Sequence, residues 1–323
     1  MTTATAPSAT TARSVAFVSE RREKAETLGR SLAELTNDPD GFARALGGGL
    51  ADLADADYLD EQRRVAPGLG AVHGVRWPLL AAMQRGFHAA TKGDHPTPLL
   101  FIADRLFREP ELESRWFAFG LLERTLTSET ERTWQILRRA AREADDWITV
   151  DALAHPYVKG IALEPYRWAE LEQLVYSPSR WERRLVGSTI ATMTHGEGRI
   201  DRGPELARLA LALLAQLVGD AEPDVQKAIA WAYRSLARLD PVATGSALRK
   251  ETEQAAATDD GHRAWVIRDS LSKLDPAVAD ELRTRLAGIR RRPGAAATSR
   301  AAETSARFSE LPDATVLREP PLT

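Results

Sequence analysis

The chain has 323 residues, 43% of them apolar and 28% charged, with a net charge of −3, enough to bury either one elongated domain or two compact ones. With no Cys, disulfides, thiolate metal sites and a Cys nucleophile are excluded, and a reducing cytoplasm is suited. The near-balanced charge excludes a globally basic protein, so any polyanion site must come from local sorting of cations; no apolar run approaches the roughly 20 residues of a membrane span, so no membrane partner is expected.

In chain order, Met1 to Ser14 is rich in Thr, Ala and Ser and reads as a disordered leader over 1–14. Val15 to Thr36 is helical in pattern, with Glu20 to Lys24 as a solvated face. Phe42, Leu46, Leu50 and Leu53 keep helical spacing, but Gly47-Gly48-Gly49 is expected to bend or break that segment, at about 1 kcal/mol per Gly. Gly74-Val75-Arg76-Trp77-Pro78 leads into Leu79, Leu80, Met83 and Phe87 on one face. Leu99 to Phe107 follows, then Leu112, Trp116, Phe119, Leu122 and Leu126. Trp134, Leu137 and Ala141 form the next stripe, with Arg138, Arg139 and Arg142 on the remaining surface.

Beyond residue 160 the punctuation is regular. Glu164-Pro165, Ser177-Pro178, Gly203-Pro204, Glu222-Pro223, Asp240-Pro241 and Asp275-Pro276 each precede an apolar-periodic run. Proline suits the first helical position because its fixed φ fits and its missing N–H had no helical partner. Ser177 and Asp240 read as N-caps. Strand-like alternation is absent. A dozen or more helices recurring in pairs at roughly 35 to 45 residues point to an α-solenoid. Arg290-Arg291-Arg292-Pro293-Gly294 closes the ordered part, leaving one repeat domain over 15–290 and a disordered tail over 291–323.

Asp145-Asp146-Trp147-Ile148-Thr149-Val150-Asp151 holds the most suggestive chemistry. Trp147 and Asp151 are four residues apart and share a helix face, so a π surface and a negative charge could meet one ligand. On spacing alone the pair reads equally as a core indole beside a solvated or capping Asp. Trp116 and Trp181 read as core. The six His are scattered, no zinc helix, nucleophile elbow or dinucleotide fingerprint occurs, and His195, in His195-Gly196-Glu197-Gly198, reads as a loop histidine rather than a ligand.

Several stretches together resemble the AlkD-type DNA alkylation-repair glycosylases, a HEAT-like repeat family. They are Gly74-Val75-Arg76-x-Pro78, Leu106-Phe107-x-x-Pro110-x-x-Glu113, Trp147-x-x-Val150-Asp151, Trp181-x-x-Arg184 and Lys227-Ala228-Ile229-x-Trp231-Ala232-x-Arg234, followed by Asp240-Pro241. The resemblance implies an all-α, HEAT-like repeat α-solenoid, a curved superhelix of antiparallel helix pairs with a concave DNA-binding face. It implies that Trp147 and Trp231 flank a damaged nucleotide, that Asp151 is the catalytic carboxylate, and that Arg184 contacts the DNA backbone. The partner implied is double-stranded DNA containing alkylated purines, met by a monomer at the nucleoid, with no metal or organic cofactor. Arg183, Lys227, Arg234, Arg138, Arg139 and Arg142 are further candidates for phosphate contact, each readable also as a solvated helix residue. Trp77, beside Pro78, reads as core or DNA-facing. The chain departs from the family in having Asp146 where an aromatic often precedes the first Trp, and in Arg183 beside Arg184.

The chemistry is self-consistent. An N3- or N7-alkylated purine is cationic and leaves without protonation, so the remaining need is to stabilise an oxocarbenium-like sugar and hold a water. A carboxylate at 4 Å offers about 4 kcal/mol at an effective dielectric near 20, or roughly a thousandfold in rate. Each Trp face favours a cation by about 0.5–2 kcal/mol. No Lys is placed as an amine nucleophile, so hydrolysis without lyase activity is expected. A HEAT-repeat binder of damaged or branched DNA that does not cut, or a protein–protein scaffold, fits the same helical pattern.

Overall fold

The computed structural model describes residues 9–194 and 204–309; His195 and the turn to Gly203 lie outside them. The described residues are helical with no strand, and no helix among them is long and apolar enough to cross a membrane. The chain divides into two compact units, Met1–Pro156 and Tyr157–Thr323. In each, helices pack against near neighbours in the chain, as in an α-solenoid.

The first unit contains α1 (Ala9–Leu32), α2 (Pro39–Leu53), α3 (Ala56–Val65), α4 (Trp77–Ala90), α5 (Thr97–Leu106), α6 (Leu112–Thr125), α7 (Thr130–Glu143) and the start of α8 (Trp147–Leu163). Helices α1 and α4 approach until backbones touch: a Cβ on Gly29 would lie 1.9 Å from the Met83 carbonyl oxygen, and one on Gly86 2.1 Å from that of Glu26. Below them Phe42, Phe87 and Phe117 form the core, their ring centroids 5.5–5.8 Å apart. Phe42 and Phe87 follow from the periodicity, whereas Phe117 displaces Trp116 from the core position expected of it.

Two expectations differ from the structure here. The leader is helical from Ala9: its Ala and Arg residues favour helix, and Arg13 pairs with Asp57 on α3. Helix α2 runs unbroken through the Gly triplet; Gly49 lies where a Cβ would meet Leu28 at 2.1 Å, and tertiary packing overrides the propensity cost. Two family motifs also explain each other. The buried Glu113 carboxylate accepts from the backbone N–H groups of His73, Gly74 and Val75 at 2.8–3.1 Å. Gly74 makes that turn with φ +83°. The pair is a strut that fixes the start of α4.

The second unit contains the end of α8, then α9 (Trp168–Gln173), α10 (Arg180–Met193), α11 (Pro204–Leu217), α12 (Pro223–Leu239), α13 (Pro241–Thr258), α14 (Gly261–Ser270), α15 (Pro276–Arg285) and α16 (Arg300–Ser309). Asp240 caps α13, its Oδ1 accepting from Ala243 N at 2.9 Å. Ser177 is not the cap of α10: Ser179 is, accepting from Trp181 N, while Ser177 Oγ turns the chain by accepting from Ser179 N. The tail expected to be disordered from 291 carries α16, and the segment before it is fastened down. Fully buried Arg263 donates to Asp260, to Glu251 and to the Thr298 carbonyl. His262 Nε2 sits 3.0 Å from the Ala295 carbonyl, and Thr298 N donates to Gly219 O at 2.8 Å. Low-complexity side chains hid this because the tail contributes backbone carbonyls to buried donors.

Candidate functional site

Trp147 is the first residue of α8, and Asp151 lies one turn on. Both are half-buried, so each keeps part of its surface in water. Neither the sealed core indole nor the fully solvated Asp is found. The cap of α8 is Asp146: its Oδ1 accepts from Thr149 N at 2.7 Å and its Oδ2 from Thr149 Oγ1 at 2.5 Å. Asp146 is itself almost covered, and Arg115 on α6 reaches it at 3.4 Å and Asp145 at 4.0 Å. A capped start leaves fewer unpaired N–H groups and less fraying, so the two partly exposed side chains stand on a fixed frame. The residue that departs from the family's aromatic is therefore the one that holds the helix start.

The sequence carried a signal for this cap, an Asp three residues before Thr149 at the head of an apolar run. It carried none for Arg115, which is brought to Asp146 by the packing of α6 from 31 residues away.

In the second unit, Trp231 is half-buried on α12. Helix α10 lies close against α12, since a Cβ on Gly187 would sit 2.7 Å from the Ala228 carbonyl carbon. Tyr233, two residues on, is fully buried, and burial together with the Glu251 carboxylate pushes its phenol well up, so it stays protonated.

The cations sort differently from the expectation. Arg184 is 5% exposed, and its Nη1 donates to the Asp224 carbonyl at 2.7 Å, bracing α10 against α12. Arg183 donates to both carboxylate oxygens of Asp220 and to the carbonyls of Ser177 and Pro178. Arg234 pairs with Asp269 at 2.6 Å, and Arg139 with Asp104. Arg138 is half-buried. Only Lys227 and Arg142, of the seven, are exposed, and neither has a carboxylate partner among the described residues. Helical spacing reports which face a residue takes, not which acid or carbonyl a neighbouring helix or loop brings, so these internal partners could not be read from the sequence. Trp181, expected in the core, is half-buried with Arg180 stacked on its ring at 4.6 Å, and Trp116 is half-buried too.

This all-α chain of α-solenoid type thus sets an indole and a carboxylate on one partly exposed helix start of the first unit, and carries a second half-buried indole on a braced helix of the second. The chain is a member of the DNA alkylation repair enzyme family, whose model matches residues 48–274 and so takes in Trp147, Asp151, Arg184 and Trp231. No individual curated protein matches it.

Proposed function

We propose that this protein is a monofunctional DNA glycosylase of base-excision repair, hydrolysing the N-glycosidic bond of cationic N3- or N7-alkylpurines in duplex DNA as a monomer at the nucleoid. The observation that carries this is the capped, partly exposed start of α8, on which Trp147 and Asp151 share a face.

As the bond from C1′ to the purine nitrogen breaks, its electron pair neutralises the purine, which leaves without a general acid. The positive charge moves to the sugar. Asp151 stabilises it by charge and orients the water that adds to C1′; that water's proton passes to the carboxylate or to solvent. Trp147 favours the cationic nucleotide through its ring face, and Trp231 offers a second such face in the second unit. Recognition through charge needs no deep cavity for an extruded base. Lys227 and Arg142 are the proposed phosphate contacts, Arg138 a further one. Arg139, Arg183, Arg184 and Arg234 could join only by exchanging an internal partner for a phosphate.

The test is release of 7-methylguanine or 3-methyladenine from methylated duplex. Asp151→Asn is expected to slow release about 100- to 1,000-fold while the protein still binds duplex. Undiminished release by that variant removes Asp151 from the chemistry. Duplex binding without base release by the wild type turns the reading into that of a non-cutting DNA binder.

A further inference from the structure

The indole of Trp77 has no part in the chemistry above, yet it is 54% exposed at the first position of α4. It is also held in place. Trp116 on α6 meets it edge to face, with centroids 5.9 Å apart and planes at 85°. The turn before it is gripped by Glu113. Arg76, the preceding residue, is bound to buried Asp55 at 2.7 Å and lies over the Tyr58 ring. Phe101 is exposed as well, at 64%, but has no ring partner among the described residues. Scattered exposed apolar side chains are ordinary; an exposed indole fixed in orientation by a second indole is a formed surface.

That surface is linked to the candidate site through α6 of the same unit. Trp116 is followed back along α6 by Arg115, whose guanidinium reaches Asp145 and Asp146 immediately before Trp147. Trp77, Trp116, Arg115, Asp146 and Trp147 thus form a continuous series of contacts and chain neighbours from the start of α4 to the start of α8. We infer that Trp77 is a further DNA-contacting residue. Its exposed face packs on the deoxyribose and base of a nucleotide flanking the one on which Trp147 and Asp151 act, with Trp116 as a rigid backing. This rests on the glycosylase reading. The chemistry recognised is the flat apolar face that every nucleotide offers, so the contact adds affinity without sequence preference.

A neutral indole displaces no counterions, so its loss should weaken binding without altering the salt dependence. The experiment uses the full chain and a labelled duplex with a single 7-methylguanine. Trp77→Ala is expected to raise both KM and the duplex Kd about tenfold, to move kcat far less, to leave the slope of log K against log salt unchanged, and to leave Tm within a few degrees of the wild type. Trp77→Phe, which keeps a ring, should recover most of the affinity. Unchanged KM and Kd in Trp77→Ala overturn the inference, as does a fall in kcat with KM intact. A wild type that acts on the duplex beside an equally active Trp77→Ala sinks this inference alone; a wild type that neither binds nor cuts sinks it together with the function proposed above.

Discussion

The two units brace the helices that carry their conspicuous tryptophans at different places. In the first, a carboxylate does the holding: Asp146 caps α8, Arg115 backs it, and Trp147 and Asp151 project from the start of the helix. In the second, cations do it: Arg184 and Arg183 pin α10 to the start of α12 and to the loop before it, and Arg263 ties α14 to the tail, while Trp231 rides mid-helix. The difference teaches that arginines gathered on helix surfaces are no measure of a phosphate-binding face. Four of the seven candidate cations are engaged in bracing or pairing within their own unit.

The comparison can be broken most directly at Arg263. It is fully buried with two carboxylates, Asp260 and Glu251, and removing one partner of a buried charge group leaves the others uncompensated. Arg263→Met should cost about 3–5 kcal/mol, read from urea unfolding, and loosen the tail, read as faster amide exchange over residues 295–300. A loss under about 1 kcal/mol would mean that cations do not frame the second unit.

Asp146→Ala addresses the first unit. Loss of the cap should cost about 1–2 kcal/mol, while Asp146→Asn, which can still accept from Thr149 N, should lose much less stability. Base release should fall in the Ala variant more than in the Asn variant if the cap fixes Trp147 and Asp151. Equal activity in all three proteins would separate the cap from function.

A smaller effect distinguishes exposed cations from bracing ones. Lys227→Ala should lower the slope of log K against log salt for duplex binding by about one with little change in Tm. Arg183→Ala should do the reverse, lowering Tm and leaving the slope alone. An altered slope in the Arg183 variant would show that it leaves Asp220 for DNA.

The smallest expected effect concerns acid. Arg249 bonds Glu281 and Arg285 bonds Glu253 between α13 and α15, and these hydrogen bonds hold both carboxyls below their usual value. A depressed folded value means that the stabilisation is present above the unfolded pKa, near 4.3, and is lost as pH falls through the folded one. Between pH 7 and pH 3 the wild type should therefore lose slightly more Tm than a Glu253→Gln/Glu281→Gln variant. All four side chains are exposed, so salt should shrink the difference.

Much of the fold was legible because helices announce themselves locally. Proline at first helical positions and apolar periodicity marked α11, α12, α13 and α15, and Asp240 is the cap it reads as. The i,i+4 spacing of Trp147 and Asp151 was enough to put them on one face, since that follows from helix geometry alone. What spacing left open was decided by contacts across sequence. Arg115 reaches Asp146 only because α6 packs beside the start of α8. Arg184 is braced because α12 brings the Asp224 carbonyl to it, and residues 295–298 are fastened by buried donors of α14 and by the Gly219 carbonyl. Periodicity says which way a side chain points from its own helix; whether it meets water, an acid or another ring depends on a neighbour dozens of residues away.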